Sequence, residues 1–442
     1  MVVHNSLQFK TLCKWILISC IIGPVTAITV KGFLYVLPVV STVVEKAFSF
    51  SPYLLPIAGG LVCGLFILKS APGAGGEGIP SYLIAVNRDR GMMSLRDTIL
   101  KIPATIITLG FFGSGGIVGP LSRIGAGIGC HLTRWFFRLL CMDETGLLRT
   151  ATICGASGIV SSIFHSPLVG AVFAVEILSS DTLKYSDLFP SILTGCMAYM
   201  TSAFLLGEGA IFQITTPPAP EGGMIHFLLP VMAVIGGTMG ILLIIIYEKS
   251  VDIFGKIPLG QPVKAGLAGA ILTMLWLGGL RWILGTSSSL FSSLASADHM
   301  TLEASFPGGV NLPLLLFIII FMKILSTSVT VGSGMSGGFT GPMLIIGLAG
   351  GALVSSLAGI DPGSPAYYLL AACSVSATLC ATLNIPLAAI LISSSLFGID
   401  YLLPACIGSI ISFIIFKNRT IYEYSITLQS ANIDHKHTAS QA

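Results

Sequence analysis

Three short segments rich in glycine and proline contain the backbone groups that could bind an ion. They read GEGIP at residues 76–80, GGIVGP at residues 115–120 and GGFTGP at residues 337–342. Glycine allows a ligand to approach the backbone closely, and proline suits the first turn of a helix. The free N–H groups of such a turn carry roughly +0.5 of an elementary charge and favour negative ions. We therefore predict helix N-termini that bind an anion.

The second and third segments belong to a longer match between the two halves of the chain. Both residues 115–129 and residues 337–351 read GGxxGPxxxIGxxxG. A second pair of positions keeps nearly the same offset: Cys154, Ser157 and Pro167-Leu168 correspond to Cys373, Ser376 and Pro386-Leu387. Chance similarity between glycine-rich segments is the alternative. Paired, interrupted helices are typical of transporters built from repeats, often inverted ones.

The composition indicates a lipid environment for most of the chain. Of the 442 residues, 54% are hydrophobic and 9% are charged, whereas roughly 25% are charged in an ordinary soluble domain. Roughly a dozen apolar stretches reach the length of about 20 residues that a membrane-spanning helix needs. The stretches do not alternate in hydrophobicity as barrel strands do, so we predict an all-α integral membrane protein.

Charge and cysteine patterns argue against other classes of protein. A formal net charge of +3 does not indicate a nucleic-acid partner. The ten cysteines are scattered without CxxC spacing or histidine clusters, so no metal or other cofactor is predicted. A membrane enzyme would need a Ser/His/Asp set or an HExxH motif, and neither is found. A structural or receptor-like membrane protein is the third class, and the repeated interrupted helices disfavour it.

The pattern divides the chain into four parts. Residues 1–206 form a first membrane repeat with an N-terminal helix, and residues 207–224, rich in Gly, Pro and Thr, form a connecting loop. Residues 225–416 form a second membrane repeat, within which residues 287–313 read as an extramembrane loop. Residues 417–442 are a short polar tail. Lys10 and Lys14 precede the first apolar stretch, and Lys417 and Arg419 follow the last, so both ends should be cytoplasmic.

Four motifs in order resemble the CLC family of chloride channels and chloride–proton antiporters. Residues 76–80 resemble its GSGIP motif, residues 115–120 its GREGP segment, and residues 338–342 its GxFxP segment. Pro167-Leu168 with Gly170, Phe173 and Glu176 resembles its PLxGxxFxxE stretch. The likeness runs from about residue 55 to about residue 410.

The resemblance implies a CLC-type fold with two inverted-topology repeats of about eighteen broken or re-entrant helical segments. It also implies a lipid-embedded homodimer with a separate pore for chloride or a similar small inorganic anion in each subunit. By analogy with prokaryotic members that lack a long C-terminal region, it suggests a bacterial plasma membrane. The implied site residues are Glu77, Gly78, Ile79, Pro80, Ile117, Val118, Gly119, Pro120, Gly338, Phe339, Thr340, Gly341, Pro342 and Tyr401.

Within that set, backbone N–H groups near Ile117, Val118, Phe339 and Thr340 would face the anion. Tyr401 would supply the hydroxyl that family members place on the central anion, although the spacing to the preceding proline is one residue short. Ile399 or Asp400 is the alternative for that position.

Two departures from the family pattern concern proton transport. Family members that exchange chloride for protons carry a glutamate in GREGP, where this chain has Val118, and a second glutamate where it has Ile177. Valine and isoleucine cannot carry protons, so we predict uncoupled, passive anion flow. A register error of one residue at Glu176 is the alternative.

A third departure is Glu77, which replaces the serine of GSGIP. An ionised carboxylate about 4 Å from an anion would cost about 4 kcal/mol at an effective dielectric of about 20. Three hypotheses follow. Glu77 is protonated when the anion is bound and acts as a relocated proton-linked gate, or it stays ionised and rests in the anion site as a plug, or the site has been recast for a cation. The second hypothesis includes a side chain turned away from the pore. Capping of a helix N-terminus is the structural alternative for Glu77, and it is compatible with lining the pore.

Overall fold

The structure, a computed structural model, describes residues 2–139, 146–178, 183–207, 209–220, 222–304 and 310–423. Its regular secondary structure is helical. The first half of the described chain contains α1 (Val2–Ala47), α2 (Leu55–Ser70), α3 (Ile79–Asn87), α4 (Leu95–Gly110), α5 (Val118–Leu139), α6 (Leu148–Phe164), α7 (Pro167–Glu176) and α8 (Tyr185–Met200). The second half contains α9 (Leu229–Lys256), α10 (Gln261–Leu277), α11 (Ser288–Ala295), α12 (His299–Ala304), α13 (Leu312–Gly332), α14 (Thr340–Leu357), α15 (Pro365–Leu383), α16 (Pro386–Phe397) and α17 (Leu402–Phe416).

Eight helical stretches in the described residues are long and apolar enough to cross a membrane. They include α1, α2, α13, α14 and α15, and α8, α9 and α17 with the short helical turns that adjoin them. Helices α6, α7 and α16 are apolar but shorter. The all-α, multi-pass architecture predicted from composition is confirmed.

Short polar side chains start several of these helices. Ser166 accepts a hydrogen bond from the Val169 N–H at 3.4 Å, and Ser364 accepts one from the Tyr367 N–H at 3.3 Å. A proline at the first helical position follows each of these caps. Capping satisfies N–H groups that lipid could not, and proline adds no further donor. These features explain why helices begin at Pro167, which the repeat match includes, and at Pro365.

Helices α6 and α15 form the centre of the two halves. Apart from Arg149, every residue of α6 is buried, and every residue of α15 from Tyr367 onward is buried. Helix α6 packs between α5 and α8, and α15 packs against α14, α9 and α17. A Cβ on Gly125 or Gly155 would overlap the other helix backbone, so small residues allow α5 and α6 to approach closely. The matched cysteines Cys154 and Cys373 lie in these central helices.

The two halves meet through reciprocal hydrogen bonds between matched glycines. Gly116 N–H donates to the Gly338 carbonyl at 2.6 Å, and Gly338 N–H donates to the Gly116 carbonyl at 2.8 Å. This antiparallel pair relates equivalent residues of the two repeats. A Cβ on Gly116 would lie 2.8 Å from the Gly341 nitrogen, and a Cβ on Gly338 would lie 2.9 Å from Pro120. Glycine is therefore required at both positions.

Hydroxyl pairs on either side of this contact repeat the relationship. Thr105 and Ser336 share a hydrogen bond of 2.8 Å, and their counterparts at the same sequence offset, Thr327 and Ser114, share one of 3.2 Å. Each repeat thus binds the other through the same side chains. A local two-fold relation between the halves explains both pairs and agrees with the predicted inverted topology.

Two predicted loops differ in their detail. The described residues between 206 and 223 have no regular secondary structure. The segment predicted as an extramembrane loop instead contains α11 and α12, and α11 packs against α14. In the predicted polar tail, residues 417–423 are described, and Ile421 and Tyr422 are buried. Residues 424–442 lie outside the described residues.

Basic residues gather on one face of the helix bundle. The ends of α2 and α13 and the starts of α4 and α10 meet there, because Lys101 binds the carbonyls that follow α2 and Gln261 binds the Ser333 carbonyl that follows α13. We expect this face to be cytoplasmic because loops rich in Lys and Arg stay on that side. The basic residues at or next to these helix ends along the chain are Lys69, Arg88, Arg90, Arg96, Lys256 and Lys264.

Candidate anion-binding site

The segment that carries Glu77 ends in a helix start that depends on glycine. Gly76 and Gly78 have φ angles of 69° and 113°, a backbone conformation that residues with a Cβ rarely adopt. Ile79 then begins α3, with Pro80 in its first turn. The break at residues 76–80 therefore places the free N–H groups of α3 directly beside the Glu77 side chain.

Three parts of the chain converge on the Glu77 carboxylate. The Ile79 N–H donates to Oε2 at 2.7 Å, so the carboxylate caps α3. The Tyr422 hydroxyl donates to Oε1 at 3.2 Å. The Phe339 backbone, at the start of α14, also lies near this carboxylate and stabilises its charge. Glu77 is 3% exposed, so protein donors rather than water stabilise its charge.

The first turn of α5 lies against the same carboxylate. A Cβ on Gly119 would overlap the carboxylate of Glu77, so the close approach requires glycine. The N-terminal ends of α3, α5 and α14 therefore meet at one point, and the carboxylate of Glu77 occupies it. The structure brings Glu77, Gly78, Ile79 and Pro80 together with the second and third predicted segments.

The side chains at the starts of α5 and α14 differ in polarity. Ile117 and Val118 are buried in the main apolar cluster, with Val118 0% exposed. Phe339 is buried and packs edge-on against Tyr247 with ring centroids 4.8 Å apart. Thr340, which matches Val118 in the second repeat, is buried, and its hydroxyl has no hydrogen-bond partner among the described residues. A donor without a partner among the described residues therefore lies at the start of α14, one residue from Phe339.

A buried lysine fixes the segment that carries Glu77. Lys101 in α4 is 0% exposed, and its ammonium donates to the carbonyls of Ala74 at 2.9 Å, Gly75 at 3.3 Å and Gly76 at 2.7 Å. Its positive charge also attracts the Glu77 carboxylate. Three carbonyl acceptors compensate for the burial of the ammonium, and the segment is held in place behind the site.

The tyrosine that reaches the site is Tyr422. The Tyr401 hydroxyl donates instead to the Pro217 carbonyl at 2.8 Å, and its ring packs near Tyr368 and Phe397. Tyr422 lies beyond α17 in the segment interpreted from the sequence as a polar tail. Two adjacent large side chains, Ile421 and Tyr422, follow the basic residues after the last membrane helix. This pair is the signal that could have indicated that the chain packs back into the protein there.

Glu176 lies apart from this site. Its carboxylate accepts hydrogen bonds from the N–H groups of Leu387 at 2.9 Å and Ala388 at 2.6 Å, so it caps α16. Ile177 follows it and is buried. The resemblance placed Glu176 next to the position of a proton-carrying glutamate. In the structure, its carboxylate joins α7 of the first repeat to α16 of the second.

A cavity of about 430 Å³ opens beside the Glu77 segment on the expected cytoplasmic face. Gly75, Gly76 and Gly334 line it together with Tyr247 and Gln261. Within the part of the chain that the structure describes, no group of His, Cys, Asp and Glu could hold a metal ion. The donors at the site are N–H and O–H groups, which suit an anion.

Comparisons with curated proteins support the same reading across nearly the whole chain. An uncharacterised protein of Methanocaldococcus jannaschii is 28% identical over 426 residues, which is 94% of this chain and 97% of that protein. The H⁺/Cl⁻ exchange transporter ClcA of Klebsiella pneumoniae subsp. pneumoniae is 27% identical over 336 residues, which is 74% of this chain and 68% of that protein.

Solved structures have the same fold. A CLC-type fluoride/proton antiporter matches with a TM-score of 0.79 and 23% identity, covering 93% of this chain and 98% of that one. A slow cyanobacterial Cl⁻/H⁺ antiporter matches with a TM-score of 0.78 and 20% identity, covering 94% of this chain and 98% of that one. A family model described as voltage gated chloride channel matches residues 59–417. The chain is therefore a multi-pass membrane protein that takes part in transmembrane anion transport, and it belongs to the voltage-gated chloride channel (CLC) family.

Proposed function

We propose that the protein carries chloride or a similar halide passively across the membrane, without moving protons in a fixed ratio. Val118 and Ile177 stand where proton-exchanging members carry glutamates, and both side chains are buried and apolar. Glu176, the nearest carboxylate to Ile177 in sequence, is engaged by two backbone N–H groups at α16. The two positions at which exchangers carry protons therefore hold side chains that cannot take up a proton.

The position of the Glu77 carboxylate carries the proposal that the transported ion is an anion. The carboxylate accepts hydrogen bonds from the Ile79 N–H and the Tyr422 hydroxyl, and the Phe339 backbone stabilises its charge. A halide needs the same donors. A cation at this point would face N–H groups and the positive ends of three helices, which would repel it. The reading of the site as recast for a cation is therefore disfavoured.

Glu77 in this position acts as a tethered plug. An anion can replace it only when the carboxylate moves away or takes up a proton, because two negative charges about 4 Å apart would cost about 4 kcal/mol at an effective dielectric of about 20. Transport should then depend on pH even though Val118 and Ile177 carry no protons.

A second candidate function is proton-linked anion exchange through Glu77 as a relocated gate. The contact between Glu77 and the helix N-termini favours it, because a carboxylate that alternates with an anion could deliver one proton per cycle. Similar proteins are named as H⁺/Cl⁻ exchangers and a fluoride/proton antiporter. The two candidates differ in whether proton movement is stoichiometric.

Simultaneous measurement of chloride and proton flux distinguishes these candidates. Purified protein in liposomes loaded with chloride would be given a potassium gradient and valinomycin, with a chloride electrode and a pH electrode outside. Chloride efflux without net proton movement is the expected result. Proton uptake in a constant ratio to chloride would establish the second candidate. No halide flux at either acidic or neutral pH, with flux of a cation instead, would refute both.

We also propose that the protein is a homodimer with one pore in each subunit, in the plasma membrane of a bacterium. The two repeats, residues 1–206 and 225–416, would each supply one half of every pore. Large apolar side chains are exposed on α8, α16 and α17, including Phe189, Leu387 and Ile414. These faces suit lipid or a second subunit. Subunit counting by single-molecule photobleaching in bilayers tests the dimer.

A further inference from the structure

Tyr247 contacts both the cytoplasmic cavity and the ion site. Its side chain lines the cavity of about 430 Å³, and its ring packs edge-on against Phe339 at the start of α14. Tyr247 is buried, and its phenol is close enough to Tyr422 for the two groups to interact electrostatically. The Tyr422 hydroxyl in turn donates to Glu77 Oε1 at 3.2 Å. Two phenols therefore connect the cavity with the carboxylate.

The cavity reaches within one residue of Glu77 along the chain. Gly75 and Gly76 line it, and Glu77 follows them directly. One water molecule takes up roughly 30 Å³ in the liquid, so the cavity has room for several. Gln261 and the backbone supply polar partners for them, and the side chains that line the cavity in the described chain are uncharged. A hydronium ion that enters from the cytoplasm therefore meets no fixed positive charge on the cavity wall.

The outer side of the site contains a buried cation instead. Helices α4 and α10 start on the expected cytoplasmic face, so the segments that follow them lie on the outer side, where the Gly115 N–H donates to the Gly285 carbonyl at 3.1 Å. Lys323 in α13 is 0% exposed. Its ammonium donates to the Ile283 carbonyl at 2.8 Å and to the Ser114 hydroxyl at 3.1 Å. A proton that arrives from outside approaches this positive charge, which repels it.

Four ionisable groups surround Glu77 on different elements. Lys101 on α4 attracts the carboxylate, and Tyr422 donates to it. Arg123 on α5 lies beneath the segment that carries Glu77, and Tyr247 on α9 faces Tyr422. The two cations thus approach from α4 and α5, whereas the two tyrosines approach from α9 and from the segment after α17. Among these groups, the tyrosines form the approach to Glu77 that carries no positive charge.

We propose that protons reach Glu77 from the cytoplasmic cavity by way of the Tyr247 and Tyr422 hydroxyls, so that cytoplasmic pH rather than external pH releases the plug. Tyr422 passes its hydroxyl proton to Glu77 Oε1 and takes one from Tyr247, which is restored by a hydronium ion in the cavity. The net change converts one hydronium ion to water and one carboxylate to a carboxylic acid, and both phenols end unchanged. This inference rests on the proposed role of Glu77 as a plug and adds the side from which it is controlled.

The rate at which Glu77 takes up a proton tests this route without requiring transport. Purified protein in detergent is mixed rapidly from about pH 7.5 to about pH 5.5, and the infrared C=O stretch of a protonated carboxyl is followed. The part of the signal that Glu77→Gln lacks reports Glu77. It should appear at least about tenfold more slowly in Tyr247→Phe but reach the same final size, because a relay residue changes the rate and not the equilibrium. Tyr368→Phe, which loses a hydroxyl that donates to the Ala295 carbonyl at 3.0 Å, is the matched control and should keep the wild-type rate.

Anion currents in excised patches of cells that express the protein test the side, because the two faces are bathed separately. Acidification of the cytoplasmic face should raise the chloride current, and the same change on the outer face should leave it unchanged. An equal protonation rate in folded Tyr247→Phe and the wild type, no infrared signal that depends on Glu77, or a current that responds to external pH would overturn the inference. A slowed signal in Tyr247→Phe of a protein that carries no halide would instead reject the proposed function and leave the proton route standing.

Discussion

The Tyr422 hydroxyl donates a hydrogen bond of 3.2 Å to Glu77 Oε1, joining residues 345 positions apart in the sequence. The carboxylate that receives this bond also caps α3 through the Ile79 N–H. A residue beyond the last membrane helix thus reaches the point where the two repeats meet. Because hydrogen bonds to an ionised carboxylate stabilise its charge, Tyr422 holds Glu77 in the position that an anion would occupy.

Removal of the Glu77 charge should strengthen anion binding. Glu77→Gln keeps the shape of the side chain but ends the repulsion, so the apparent halide affinity should rise by between about tenfold and about a thousandfold. In the wild type, flux should increase as the pH falls, because protonation neutralises the competing carboxylate. Flux of Glu77→Gln should lose that dependence.

Chloride titrations and flux at a series of pH values check this expectation. Glu303→Gln, which removes an exposed carboxylate in α12, is the control and should behave like the wild type. Equal affinity and an equal pH profile in Glu77→Gln and the wild type would show that Glu77 does not compete with the ion.

Loss of the Tyr422 hydroxyl should shift the pH dependence of flux. Tyr422→Phe removes a donor that stabilises the ionised carboxylate, so Glu77 should be neutralised more easily and half-maximal flux should move about one pH unit higher. Tyr401→Phe is matched in chemistry, but its hydroxyl binds the Pro217 carbonyl and its profile should not move. A shift in Tyr401→Phe without one in Tyr422→Phe would assign the site tyrosine to Tyr401 instead.

The sequence predicted the features that depend on local chemistry. Glycine and proline mark where helices begin, so the starts of α3, α5 and α14 at Ile79, Val118 and Thr340 follow from their segments. The match between repeats likewise predicted that residues 116 and 338 are equivalent. The reciprocal hydrogen bonds between Gly116 and Gly338 are the physical form of that equivalence.

Contacts that depend on how the chain returns to the site were not predicted. The burial of Tyr422 depends on the turn after α17, and a short polar segment gives no periodic signal of its direction. Arg123 is buried because Gly78 leaves space for its stem, and the sequence of one helix does not show what its side chains pack against. The capping of α16 by Glu176 joins two repeats, and spacing within one repeat cannot indicate it.

The folded state should lose stability as the pH falls, because of a histidine in α12. His299 in α12 packs against Tyr367 with ring centroids 5.6 Å apart, and burial lowers its pKa below the usual range, although Asp298 and Glu303 oppose this effect. The neutral ring is therefore favoured in the folded protein. Its contribution to stability is complete above the unfolded pKa of about 6.5 and is lost as the pH falls below that value.

Thermal unfolding in detergent at about pH 7.5 and about pH 5.5 checks this sign. The melting temperature should fall at the lower pH, and the fall should be smaller in His299→Gln, which cannot take up a proton. His226→Gln is the control, since His226 lies in the helical turn before α9 and is partly exposed. An equal fall in His299→Gln and the wild type would place the sensitivity elsewhere.

The Thr340 hydroxyl should be a ligand of the permeating anion, because it is a buried donor at the start of α14 without a partner among the described residues. Thr340→Val replaces it with a methyl group of similar size, so halide affinity should fall by about fivefold to about tenfold, the effect of one neutral hydrogen bond. The melting temperature should stay the same or rise, because the folded protein without an ion no longer buries an unsatisfied hydroxyl. Thr340→Ser should retain the affinity.

Ser355→Ala is the matched control, since Ser355 lies near the far end of the same helix and its buried hydroxyl also has no partner in the described chain. Weaker binding in Ser355→Ala, or full affinity in a folded Thr340→Val, would show that the hydroxyl does not contact the ion.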